Sequence, residues 1–318
     1  MADLGVTFTE LRNAVSYFLG YGPTAPTSGT KSTIVDNIVK SGLRQVYWPP
    51  PLSGVTHSWS WLQPLGSITT NEPYDTGTVT TSGTTVTLSD GTFPSWVDSA
   101  CELVIDDVPY AIASRDGDTQ LTLESALPSD VTDSEYSVIR RKMILPDDFG
   151  RLVGSLTFEA EYTLFMVPQT SEGYIRELYQ TQLLEGRPQY VAIVPKKSDQ
   201  SELQSFMFFF YPIPDDTYTL SYRYMVSPDM LESTTGEHPY GSVRFGELFL
   251  ESCLSVAEER MNDTQGVHKA KFMERLAAAI SEDLQASPRY LGRLGKTIES
   301  QLSRSSWRDK IYYNGVEI

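Results

Sequence analysis

The residues able to carry out chemistry are few in this chain. Its three histidines, His57, His238 and His268, show no pair at the spacing by which a helix or loop presents metal ligands. The His-Glu-X-X-His and Gly-X-Ser-X-Gly patterns, which would supply a zinc site or an activated serine, do not occur. Gly22 and Gly29, followed by Thr30, Lys31 and Ser32, have the residue types of a phosphate loop. The two glycines stand too far apart, however, Thr30 separates Gly29 from Lys31, and no apolar strand leads in. A flexible linker opening a helix is the expected reading. Asp116-Gly117-Asp118 resembles the start of a calcium loop, but the twelfth position holds Leu127 where a bidentate Glu is required. The acidic doublets Asp106-Asp107, Asp147-Asp148 and Asp215-Asp216 have the composition of a glycosidase pair, yet each falls where a turn is expected. Cys101 and Cys253 are far apart and suggest neither a disulfide framework nor a zinc site. No catalytic, cofactor-binding or metal-ligating residue is assigned, and the chain is expected not to be an enzyme.

The elements explain why those residues are scattered. Thr7 or Thr9 can cap a first helix carrying Leu11, Ala14, Val15, Phe18 and Leu19 on one face. A second carries Ile34, Val35, Ile38, Val39 and Leu43 and cannot continue through Pro49-Pro50-Pro51. From residue 71 to 143 the pattern changes to short alternating strands, at 76–81, 84–89, 102–106, 110–114, 120–124 and 135–141, with Asp107-Val108-Pro109 as one turn. Six strands at this spacing predict a small barrel-like or sandwich domain, inserted between parts of another. Beyond it, strands are expected at 164–167, 190–194, 204–211 and 218–226, with a helix capped by Ser171 that reaches Leu183 or Leu184. The run Phe206 to Tyr211 is apolar on both faces and must be buried twice, chiefly by the fold itself. Two long helices, 244–262 and 267–285, form a hairpin.

The predicted fold class is therefore α+β. Residues 1–70 and 144–287 build a helical core with a few strands, 71–143 form the inserted β domain, and 288–318 form an extended C-terminal arm. No apolar run approaches the ~20 residues that span a bilayer, and the N-terminus lacks a secretory pattern. A soluble protein made in a reducing cytoplasm is expected.

Charge sharpens this picture. The chain carries 25 Lys and Arg against 41 Asp and Glu, a net charge of −16. A chain this acidic is a poor candidate for general nucleic-acid binding, because phosphate contacts require a basic footprint. The arm runs the other way, with six basic and three acidic side chains, so it is +3 on a body of −19. Arg304, Trp307, Arg308, Lys310, Ile311, Tyr312, Tyr313 and Ile318 are its candidate docking residues. The aromatics offer area to bury on a partner, and the Arg side chains offer charge-assisted contacts.

Residues 38–50, ending in Tyr47-Trp48-Pro49-Pro50, and the β segments 77–81 and 110–114 belong with residues 186–190 and 211–223 and with the helix pair from Glu247 to Asp283, which holds Ala257-Glu258 and Gly266-Val267-His268. Together these segments resemble the head-to-tail adaptor (connector, head-completion) proteins of tailed bacteriophages. The resemblance implies a homo-oligomeric ring, usually a dodecamer, in the virion neck, made in the host bacterial cytoplasm. Its partners would be the portal protein, a tail tube or nozzle protein and further copies of itself, with DNA only in transit and no membrane. The portal is the expected receiver of the arm, with a neighbouring adaptor subunit as the other candidate. A different tail component (tube, nozzle or baseplate) and a tail-associated glycan-degrading enzyme are the alternatives.

Overall fold

A computed structural model of the chain describes residues 4–52, 54–159, 166–181, 183–196, 204–229, 231, 237–262, 266–286, 312–313 and 316–317. Helix α1 (Phe8–Phe18) starts at Thr7. The Thr7 hydroxyl accepts from the Glu10 N–H at 3.1 Å, and the Glu10 carboxylate accepts from the Thr7 N–H at 2.8 Å. This reciprocal pair satisfies two donors that the first turn leaves open. Helix α2 (Gly29–Tyr47) runs further than its apolar stripe suggests, taking Val46 and Tyr47 into its last turn. Buried Arg12 ties the two together: its Nε donates to Asp36 at 2.6 Å and its Nη2 to the Pro26 carbonyl at 2.9 Å.

Strand β1 (Leu65–Thr69) precedes the six strands of the β region. These are β2 (Thr78–Ser82), β3 (Thr85–Ser89), β4 (Glu102–Ile105), β5 (Val108–Arg115), β6 (Gln120–Leu123) and β7 (Ser137–Ile139). They form one antiparallel sheet in the order β2-β3-β6-β5-β4-β7, curled into a half-barrel. Val79, Val86, Leu103, Ile112, Leu121 and Val138 fill its concave side as a cluster separate from the main core. One turn corrects the sequence reading. Val108 and Pro109 belong to β5, paired with Ile105 and Val104, and the turn is Asp106-Asp107 with φ of 50° and 62°. Both central residues of a two-residue hairpin turn need positive φ, which Asp tolerates better than Val and which Pro cannot adopt.

The chain then adds β8 (Lys142–Ile144), β9 (Phe149–Phe158), β10 (Met166–Val167), α3 (Glu172–Thr181), β11 (Tyr190–Pro195), β12 (Phe206–Tyr211) and β13 (Thr219–Val226). One sheet has the order β1-β13-β9-β10 and a second β11-β12-β8, both antiparallel. The pairing of β9 with β13 shifts register twice, and Gly154 in β9 has φ of 86°. The aromatic strand β12 is covered on both sides by the fold. Phe208 and Phe210 enter the main core, while Phe209 packs with Ile175 of α3 and Ala192 of β11.

Helices α4 (Ser242–Asn262) and α5 (Val267–Ala286) form the expected hairpin against α1 and α2. Gly42 of α2 lies against Cys253 of α4, where an added Cβ would come within 2.6–2.9 Å of Cys253 atoms. The Ser252 hydroxyl donates to the Gly42 carbonyl at 2.8 Å, so the two helices meet almost backbone to backbone. At the return into α5, the Glu258 carboxylate accepts from the His268 N–H at 3.0 Å and occupies the space where a Cβ on Gly266 would lie. A carboxylate at a helix start satisfies open N–H groups and complements the helix dipole. A last hairpin pairs β14 (Tyr312–Tyr313) with β15 (Val316–Glu317).

Candidate functional site

Two of the three histidines, His57 and His268, are engaged in holding the fold. His57 Nε2 lies 2.8 Å from Asp283 Oδ2, and the Ser60 hydroxyl donates to Asp283 Oδ1 at 2.5 Å. The three residue types are those of a hydrolase triad, but the connectivity is wrong. A nucleophilic serine must give its proton to the imidazole, whereas this serine is bound to the carboxylate. The carboxylate also accepts from the Ser60 N–H at 3.1 Å. What this cluster accomplishes is mechanical: it clasps the end of α5 to the Trp59–Leu62 turn, beside the mutually tilted rings of Trp59, Trp61 and Phe245. Three residues later α5 ends at Ala286, so the clasp lies in the last turn of that helix. The sequence held no signal for this cluster, because its members are more than 220 positions apart.

The second histidine does the same at the other end of the hairpin. His268 Nδ1 lies 2.7 Å from buried Glu251 and its ring stacks edge-on to Phe18. His238 is exposed near Gly5.

The acidic doublets sit in turns or bends, as expected. Asp148 accepts from the Tyr224 hydroxyl at 3.1 Å and Asp215 from the Tyr218 hydroxyl at 2.8 Å. Asp116 receives the Thr122 and Ser114 hydroxyls, and these hydrogen bonds hold its carboxyl below the usual range. Among the described residues no group of three or more potential ligands gathers as a metal site. The glycine-bearing linker is preceded by α1, not by a strand, and Lys31 lies 4.9 Å over the Tyr21 ring. Cys101 and Cys253 are free and buried, and burial pushes both thiols up to about 12.

The best-defined polar feature is the seam between the half-barrel and the core. It is made by Arg140, Arg141 and Lys142, three consecutive cations in an acidic chain. Arg140 donates to Asp98 at 2.7 Å and to the Trp96 carbonyl at 3.0 Å. Arg141 pairs with Glu102 of β4 while its guanidinium stacks 4.6 Å over the Tyr179 ring of α3. Tyr179 in turn donates to the Phe210 carbonyl at 2.7 Å, and burial raises its phenol far above the ordinary value. A cleft of about 350 Å³ opens here between α3 and β8, lined by Lys142, Arg176, Tyr179 and Phe209 among others. One arginine therefore touches the half-barrel and α3 together.

Of the candidate docking residues, Tyr312 and Tyr313 form β14. Arg304, Trp307, Arg308, Lys310, Ile311 and Ile318 lie outside the described residues. Around the start of α4, Leu4, Trp48, Tyr240 and Val243 are exposed apolar side chains. Tyr240 and Val243 carried no periodic signal in sequence. Among the described helices none is long and apolar enough to cross a membrane. The SU10 adaptor protein family model matches residues 83–295, over half of the chain. No curated protein matches.

Proposed function

The chain belongs to the SU10 adaptor protein family of phage adaptor proteins, and from that premise we propose that it forms a homo-oligomeric ring between portal and tail. The family assignment marks it as a structural protein. The observation that carries the proposal is the extent of the match, which runs from β3 past the end of α5. It includes five of the six half-barrel strands, β3 to β7, together with the helical hairpin.

The ring, twelve-fold by analogy with head-to-tail adaptors, sits in the virion neck after synthesis in the host cytoplasm. It contacts the portal protein on one side and a tube or nozzle protein on the other. DNA passes through its channel. A body of −19 repels phosphate at short range, so a wall built from it lets the genome slide without gripping it. The arm from residue 288 docks outside its own fold, beyond a helix whose last turn holds the Asp283 clasp.

Native mass spectrometry of the full chain, alone and with portal protein, is the test. A closed ring that gains mass as a complete assembly with portal is expected, together with no detectable duplex-DNA binding at physiological salt. A monomer under both conditions, or micromolar salt-sensitive DNA binding, would sink the reading.

A further inference from the structure

Among the described residues, strand β1 has no strand paired to its outer edge. Its sequence is Leu65-Gly66-Ser67-Ile68-Thr69, without a charge or a proline. Tyr224 donates to the Pro64 carbonyl and Thr70 to the Tyr218 carbonyl. With the antiparallel register between them, the alternation turns Gly66 and Ile68 toward β13. The N–H and C=O groups of Leu65, Ser67 and Thr69 then face away from the sheet. All three residues are exposed, Leu65 at 71%.

The other sheet edges are blunted. Ser134 exchanges both backbone bonds with Val79 outside β2, and Tyr74 does so with Val138 outside β7. Residues 168–170 cover β11 through Val191. β8 and β10 are only three and two residues long. An uncharged, exposed edge of five residues is a template for strand addition, which proteins normally suppress.

The chain also carries a strand pair in need of an edge. Among the described residues β14 and β15 pair with each other alone, as a separate two-stranded sheet. Residues 314–315 between them are Asn-Gly, the favoured pair for a two-residue hairpin turn. An isolated two-stranded hairpin is marginal in water and becomes stable by joining further strands.

We propose that the outer edge of β1 receives the C-terminal hairpin of a second copy of this chain, extending the β1-β13-β9-β10 sheet across the subunit boundary. This rests on the ring reading above. Three observations select a second copy. Within its own chain the hairpin forms a sheet apart from β1. The arm is +3 while the body it would lie on is −19. The 25 residues 287–311 between α5 and β14 span up to ~80 Å when extended, enough to reach an adjacent subunit. In a ring, such a head-to-tail exchange repeats identically and closes.

The test is disulfide trapping between full-length copies. Thr69→Cys protein is mixed with Val316→Cys protein and oxidised, while buried Cys101 and Cys253 stay inert. A two-chain cross-link that forms in the mixture is expected. Adding Ser67→Pro to the Thr69→Cys chain removes an outward N–H without touching the β13 ladder. It should lower the yield at least tenfold with helical circular dichroism retained. If that variant fails to fold, Ser67→Lys blunts the same edge by charge and should act alike. A ring without the cross-link overturns this proposal and leaves the ring reading standing, whereas a monomer at every concentration sinks both. A cross-link that forms only within one chain carrying both cysteines, that survives both edge variants, or that joins Val316→Cys to portal protein instead, also overturns it.

Discussion

In the half-barrel the pairings are mostly with strands nearby in sequence, such as β2 with β3 and β4 with β5. In the core the decisive pairings are distant: Leu65 meets Arg223, and α2 lies on α4 through Gly42 and Cys253. Each region has its own hydrophobic cluster, and the Arg140–Asp98 and Arg141–Glu102 ion pairs join them. The difference teaches that the half-barrel can form from local hairpins. The core must wait until both halves of the chain are present, because loop closure precedes the gain from distant contacts. We propose that the half-barrel folds as a unit on its own cluster.

Four substitutions break or sharpen this contrast. Phe249→Ala, at a fully buried position between α4 and α2, should cost about 4 kcal/mol. The loss should appear in the helical dichroism, since the α-helices among the described residues all lie outside the half-barrel. Leu103→Ala, fully buried in the half-barrel, should cost about 3 kcal/mol. Amide exchange should rise in residues 78–139 while the helices keep their protection. A uniform rise across both regions would show one cooperative unit instead.

Asp283→Asn leaves either His57 or Ser60 facing a donor in a buried site, and should cost about 2 kcal/mol. Its signature is faster exchange at the C-terminal end of α5, with the half-barrel unaffected. Asp107→Gly relieves a positive φ in the β4–β5 turn and should stabilise the half-barrel alone by about 0.5 kcal/mol, read as a raised midpoint in urea.

The reading of the chain follows the same divide. The alternating Val/Thr and Leu/Thr runs foretold the six strands, because period-two patterning with turn residues between is local information. β9 was not foreseen. Gly150 and Gly154 interrupt its pattern, and its two register shifts change which residues face inward. β1 was missed for a similar reason: Leu65 is exposed and Gly66 leaves Ile68 as the one apolar side chain on the inward face, so there is little alternation to display. The need to bury Phe206–Tyr211 twice was legible, but not that α3 supplies the second cover through Ile175.

Sequence alone determined the helical hairpin, the change of texture at residue 71, the acidic body with its basic arm, and the lack of a catalytic motif. These depend on composition and on spacings of a few residues, which a linear chain displays directly. Only the tertiary structure decided that Asp283 clasps His57 and Ser60, that Arg141 bridges Glu102 and Tyr179, and that β1 has no strand paired to its outer edge among the described residues. Each of these joins groups from distant stretches of chain. Which buried charge meets which partner, and which strand lies outermost, follow from how the whole chain packs.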